Sequence, residues 1–279
     1  MSQASASIVV IGDEILGGFV HDTNSHWLAT RLQTLGIPLD RVQTVPDTLT
    51  AIEEGLRLEL NRGGPRLIMT FGGIGSTPDD LTMEGVAITL GTGLEVNEEI
   101  DERITQALEW TARQGVTVTE AHERSMRRMA KVPKGSYLLP GAKGVAPGVA
   151  VDVDGGLDDG GATIVILPGI PSELKRIFDQ GIVPDLLVGV GVPQHVVELT
   201  HPYPESTLNP LFDQLVTDYA DVHLGSYPGS PCIVRLKGAK DRVEGARRMV
   251  EDYRGSLEGD PASARLRQAW AARWDDREE

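Results

Sequence analysis

The stretch Gly72-Gly73-Ile74-Gly75-Ser76-Thr77-Pro78-Asp79-Asp80-Leu81-Thr82 sets three glycines beside two adjacent carboxylates. Glycines let a backbone approach a ligand closely. Free backbone N–H groups suit phosphate, and carboxylates suit a hard cation that phosphate also binds. Asp13 with Glu14, Asp47, and Glu173 likewise follow apolar runs. Carboxylates crowded into one cleft repel one another, and they coexist through a metal ion or raised pKa values. A bound Mg²⁺ there would bridge substrate phosphates and activate a water. Each acid also has a simpler role open to it. Asp47 reads as a helix N-cap, Asp79 as turn chemistry after Pro78, Asp13-Glu14 as a solvated loop, and Glu173 as an acid favoured by a helix start.

The flanking elements decide whether these residues can meet. Apolar runs at 8–11, 39–45 and 67–71 read as strands. Between them, Trp27, Leu28, Leu32 and Leu35 form one helix face that stops at Gly36, and Ile52, Leu56 and Leu60 form another. A further helix follows the glycine loop, with Thr82 as its expected cap. This alternation predicts an α/β fold with a mostly parallel sheet and right-handed crossovers. The carboxyl ends of parallel strands share one edge, so Asp13-Glu14, Asp47, Asp79-Asp80 and Glu173 could line one cleft.

Residues 97–113 and 119–130 read as helices. The second carries Arg124, Arg127 and Arg128 with Lys131 just beyond, the densest basic patch in an acidic chain. It is either a solvated helix face or the cation source for an anionic substrate. Strands are expected at 137–139, 148–153 and 163–167, the last two joined by an Asp/Gly-rich hairpin loop. Leu167-Pro168-Gly169-Ile170-Pro171-Ser172-Glu173 is a further strand-to-helix junction. The expected domains are 7–188, a small α+β lobe at 194–257 and a charged tail at 258–279, either helical or disordered. Residues 1–7 read as a short disordered lead.

The 279 residues carry a formal net charge of −15, the opposite of the basic footprint that nucleic acid binding shows. No apolar run approaches membrane-spanning length, and the start lacks a signal-peptide pattern. Cys232 is the only cysteine, which fits a reducing cytoplasm. The histidines lack zinc spacing, and no phosphate-loop lysine motif, dinucleotide fingerprint or serine-hydrolase elbow occurs. The Asp-rich segment 152–159 lacks calcium-loop spacing.

Taken in order, Ile11-Gly12-Asp13-Glu14-Ile15-Leu16-Gly17-Gly18, Asp22-Thr23-Asn24, Val45-Pro46-Asp47 and the glycine loop resemble the MoaB/Mog (molybdopterin-binding) domain. The branch they resemble is the competence/damage-inducible protein A type, and the N-terminal domain of eukaryotic FAD synthase is similar. Ala146-Pro147-Gly148 and residues 167–173 extend the match, and Glu205-Ser206 with Gly225-Ser226-Tyr227-Pro228 resemble the family's second lobe. The resemblance implies a three-layer α/β/α domain whose pocket takes a pterin or nucleotide phosphate. It implies catalytic roles for Asp47 and Asp80, and metal-holding roles for Asp13, Glu14, Asp79 and Asp80. Ligand contacts are implied at Gly12, Asn24, Gly72, Gly73, Gly75, Ser76, Thr77, Thr82, Gly169 and Ser172. The implied reaction is hydrolysis of a phosphoanhydride such as that of ADP-ribose or FAD, with Mg²⁺ or Co²⁺ and potassium. Alternatives are a molybdopterin-binding or transferase module of molybdenum-cofactor metabolism, and a non-catalytic regulatory protein. Self-association into a homo-oligomer is a family-level expectation. Ser76 departs from the family's usual proline, and the nicotinamide mononucleotide deamidase domain of many relatives is not expected here.

Overall fold

The computed structural model describes residues 4–275. The chain forms two compact units, the first ending at Val192 and the second starting at Pro193.

The first unit begins with β1 (Ser5–Ile11), α1 (Asp13–Leu16), α2 (Asn24–Thr34), β2 (Leu39–Val45), α3 (Leu49–Leu60) and β3 (Arg66–Phe71). It continues with α4 (Thr82–Thr89), β4 (Leu94–Val96), α5 (Glu98–Arg113), α6 (Glu120–Arg128), β5 (Lys131–Pro133) and β6 (Tyr137–Leu139). β7 (Gly148–Val153), β8 (Ala162–Leu167), α7 (Pro171–Ile177), a π-helical turn over Phe178–Ile182 and α8 (Val183–Leu186) complete it.

Six strands make one sheet in the order β2-β1-β3-β8-β7-β6. β2, β1, β3 and β8 run parallel, and β7 alone runs opposite to the other five strands. Side chains alternate across a strand, so β1 feeds both faces. Ile8 and Val10 pack with Leu28 and Leu32 of α2 and with Leu174 and Ile177 of α7. Val9 and Ile11 pack on the other face with Ile52 and Leu56 of α3, Val86 of α4 and Ile100 of α5. The result is a three-layer sandwich with helices on both faces, as the alternating pattern predicts.

The expected disordered lead is corrected from Ser5 onward, because β1 starts there and the Ser7 hydroxyl donates to buried Glu59 at 2.5 Å. Residues 1–3 of that lead lie outside the described residues. The short antiparallel β4–β5 pair and α1 were not expected, since three or four residues are too few to show a period.

The second unit holds β9 (His195–His201), a 3₁₀ turn over Glu205–Leu208, α9 (Asn209–Asp218), β10 (His223–Tyr227), β11 (Cys232–Gly238), α10 (Lys240–Glu258) and α11 (Pro261–Asp275). Its antiparallel sheet runs β10-β11-β9. Val234 and Leu236 alternate inward to meet Leu211 and Leu215 of α9 and Val243 and Val250 of α10. The charged segment after 258 is helical through Asp275, and residues 276–279 lie outside the described residues. Among the described residues, no helix is long and apolar enough to cross a membrane.

Candidate functional site

Four parallel strands end at one edge of the sheet. β1 delivers Gly12 and then Asp13 and Glu14 in α1, β2 delivers Asp47, β3 delivers the glycine loop, and β8 delivers Gly169. Register explains the meeting, because Ile11 pairs with Val45 across β1–β2 and Val10 with Phe71 across β1–β3.

Asp47 is not the helix cap that its position suggests. The Thr48 hydroxyl accepts from the Ala51 amide and caps α3. Asp47 is thereby released, and its Oδ2 accepts from the Asp13 amide at 2.7 Å. Partial burial raises the Asp47 pKa, the Asp13 amide opposes that rise, and the charges of Glu14, Asp13 and Asp79 add to it. Asp13, Glu14, Asp47 and Asp79 thus share one electrostatic neighbourhood. Glu173 does not join them, since its carboxylate lies against Gly144.

The glycine loop opens in a conformation that side chains resist. Gly72 has φ +96° and Gly73 φ +61°. A Cβ on Gly72 would stand 2.0 Å from the Ile11 carbonyl oxygen, and one on Gly73 would stand 2.5 Å from Thr82 Oγ1 and 3.3 Å from Asp47 Oδ1. Thr82 is not the cap of α4, because Leu81 holds that place. Thr82 is fully buried and closes the loop on itself instead. Its hydroxyl donates to the Gly72 carbonyl at 2.7 Å and its amide to the Gly73 carbonyl at 3.0 Å.

Asp80 shapes the same loop from the other end. Its Oδ2 accepts from the Thr77 amide at 2.7 Å and the Thr77 hydroxyl at 2.6 Å. The Ser76 carbonyl accepts from the Ser125 hydroxyl of α6 at 2.5 Å. Asp79 is exposed and held below the usual carboxylate range, mainly by hydrogen bonding at Thr77 and to a smaller extent by the Arg128 charge.

The basic patch divides between its two readings. Arg127 pairs with Asp101 at 2.6 Å and Glu123 at 2.9 Å, and exposed Arg124 reaches Glu120 at 3.7 Å. These form a solvated helix face. Arg128 and Lys131 instead line a cavity of about 40 Å³ with Gly73, Gly75, Asp80 and Glu84. They are cations beside the loop that the strand-end reasoning missed. The available signal was the density of basic residues in an acidic chain. It could not separate the inward pair from the outward pair without β5 and the turn of α6.

On the other flank of the loop, Gly72 and Gly169 line a second cavity, of about 110 Å³, with Glu14, His21 and Asn24. Asn24 is buried, and its Nδ2 donates to the Gly169 carbonyl at 2.8 Å. The Gly12 amide donates to the Val45 carbonyl at 3.2 Å, so it ties β1 to β2. Ser172 is exposed in the first turn of α7.

The oxygen-only donors Asp13, Glu14, Asp47 and Asp79 have the chemistry of a hard divalent ion's ligands. Their geometry does not match. Among the described residues, no three His, Cys, Asp or Glu side chains converge to hold an ion, and Asp80 Oδ2 is turned onto Thr77. The expected metal set of Asp13, Glu14, Asp79 and Asp80 is therefore not a preformed site.

Comparison with known proteins places this edge in a family context. The family described as a probable molybdopterin binding domain matches residues 7–187. A protein of Aeropyrum pernix is 34% identical over 272 residues, covering 90% of this chain and 96% of its own length. A competence-damage inducible protein of Desulforudis audaxviator is 33% identical over 261 residues, covering 91% of this chain, and the chain spans 59% of that relative. Among solved structures, the CinA protein of Thermoplasma acidophilum, described as of unknown function, superposes with a TM-score of 0.53 at 28% identity. That match covers 64% of this chain and 95% of the other.

Proposed function

Because this chain belongs to the family of probable molybdopterin-binding domains, in its CinA-like branch, we propose that its carboxyl edge binds the phosphate of a pterin or nucleotide. The observation that carries this reading is that the Gly73–Gly75 backbone shares one cavity with Arg128 and Lys131. The amides would receive phosphate oxygens and the two cations would balance their charge. Asp80 and Glu84 line the same cavity, so the two cations bring it to balance within an otherwise acidic chain.

Asp47 favours a second step on the same ligand, hydrolysis of a phosphoanhydride. One of its carboxylate oxygens is fixed by the Asp13 amide, and the other faces Gly73. A carboxylate with a raised pKa is a stronger base, suited to orienting and deprotonating a water beside a bound phosphate. Asp80 would keep the loop in register through Thr77. Since the acids do not form a preformed ion site, no step here is assigned to a metal. ADP-ribose and FAD are the substrates to try first.

The test is calorimetric titration of the full chain with inorganic pyrophosphate, 6-hydroxymethylpterin phosphate and ADP-ribose, followed by assay of ADP-ribose turnover with and without Mg²⁺ or Co²⁺. Binding of all three, weakened in Arg128→Ala, is the expected result. Absence of binding would remove the phosphate reading. Binding without turnover would leave a pterin- or nucleotide-binding module. Turnover unchanged in a folded Asp80→Asn variant would remove Asp80 from the reaction.

A further inference from the structure

The glycine loop is pinned from three directions. Thr82 bonds the Gly72 and Gly73 carbonyls, and Asp80 bonds Thr77. The third pin comes from α6, whose Ser125 hydroxyl donates to the Ser76 carbonyl at 2.5 Å. Donor and acceptor are 49 positions apart in the chain, so this bond joins two elements that local sequence does not hold together. α6 has few other anchors. None of its residues is buried, and Met126 packs only partly against the core. Arg127 bonds instead to Asp101 and Thr105 of α5, at 2.6 and 3.5 Å. Arg127 thus sets α6 against α5, and Ser125 sets it against the loop.

Arg128 lies three residues after Ser125, and residues three apart share one helix face. The face that meets Ser76 therefore also carries Arg128 to the cavity that Gly73 and Gly75 line. Arg124 and Arg127 are tied by ion pairs, whereas among the described residues no ion pair holds Arg128. Its placement depends on where α6 holds its backbone. Resting on the phosphate reading above, we infer that Ser125 is a positioning residue for the anion. Its bond to Ser76 holds α6 on the glycine loop and so keeps the Arg128 guanidinium beside Gly73 and Gly75. Ser125 does not line the cavity, so it acts through Arg128. Loop and guanidinium are then set before the anion arrives, and such preorganisation removes the cost of ordering them on binding.

The experiment titrates inorganic pyrophosphate into the full chain as wild type, Ser125→Ala, Ser125→Thr, Arg128→Ala and the Ser125→Ala/Arg128→Ala double variant. Ser125 is only partly buried and Ala is the better helix former, so Ser125→Ala is expected to fold. It is expected to bind about fivefold more weakly, the effect of one lost hydrogen bond. Ser125→Thr restores the hydroxyl and with it the affinity. In the double variant, Ser125→Ala adds no loss beyond that of Arg128→Ala, because it acts through that residue. The fall of affinity with salt also flattens in Ser125→Ala, as it does in Arg128→Ala, whereas a residue that only stiffened the fold would leave it at the wild-type slope. Wild-type affinity in Ser125→Ala, a loss that Thr fails to restore, or losses that multiply in the double variant would each overturn the inference and leave the phosphate reading standing. Wild-type protein that binds no pyrophosphate would overturn both.

Discussion

The two edges of the main sheet use the same residue types to opposite ends. At the edge where the strands begin, Glu59 of α3 is fully buried. It accepts from the Ser7 hydroxyl and lies near Arg41, Arg62 and Arg66, at 3.5, 3.6 and 3.8 Å. Arg66 also holds Asp40 at 2.9 Å, and the Asp40 carboxyl is lowered by its hydrogen bond to Arg66, against the opposing effect of burial. At the edge where the strands end, Asp47 is only partly buried and its charged neighbours are Glu14, Asp13 and Asp79. At the first edge the buried Glu59 and its neighbour Asp40 are matched with arginines. The other has gathered acids around the glycine loop and keeps Arg128 and Lys131 in the adjoining cavity. A balanced buried network holds a fold together, whereas an unbalanced one is the arrangement that ligand-binding sites display.

The largest effect is expected from breaking the balanced edge. Glu59→Ala would leave the buried Arg66 with Asp40 alone and the Ser7 hydroxyl without its acceptor, and should cost about 3 kcal/mol in denaturant unfolding. The folded fraction should still bind pyrophosphate as wild type does. A loss below about 1 kcal/mol would mean that the exposed parts of Arg41 and Arg62 screen the network. At the opposite edge, Arg128→Ala should weaken pyrophosphate binding about tenfold, with stability unchanged to within about 0.5 kcal/mol. Wild-type affinity should also fall as salt rises, because the cation lies at the surface. Equal affinity in the variant would place the anion elsewhere.

A smaller effect separates the edges by pH. The folded-state pKa of Asp47 is raised, so the folded chain holds its proton longer than the unfolded chain does. Ionising Asp47 therefore removes stability as pH climbs from the unfolded carboxylate value through the folded one. Asp47→Asn should abolish that decline and stabilise the chain at neutral pH by about 0.5 kcal/mol or less, given its partial exposure. The comparison is the difference between variant and wild-type melting across pH 3–7. A destabilised variant at pH 7 would mean that the Asp13 hydrogen bond outweighs the repulsion.

The sequence announced the carboxyl edge more clearly than it announced the use of each residue there. Apolar runs of four to seven residues before glycine and acid are readable because burial on both faces leaves few polar positions. The MoaB/Mog resemblance read from the ordered motifs agrees with the matched family and with the observed layers. Capping was misassigned by one residue twice. Thr48 replaces Asp47, and Leu81 stands where Thr82 was expected. Neighbouring residues of cap type compete, and only backbone geometry decides which one turns inward. The inward pair of basic residues was hidden because β4 and β5 are too short to leave a pattern. The balanced edge was not legible at all, since Ser7, Asp40, Glu59 and Arg66 are distant in sequence and each reads alone as a surface residue.

The central claim is that the strand-end edge, and not the paired edge, receives phosphate. Backbone ¹⁵N–¹H shifts of the full chain titrated with inorganic pyrophosphate test it directly. Saturable shifts are predicted at the amides of Gly73, Ile74 and Gly75, with those around Ser7, Glu59 and Arg66 unmoved. Shifts confined to the Glu59 edge, or no saturable shift in the loop, would contradict the account.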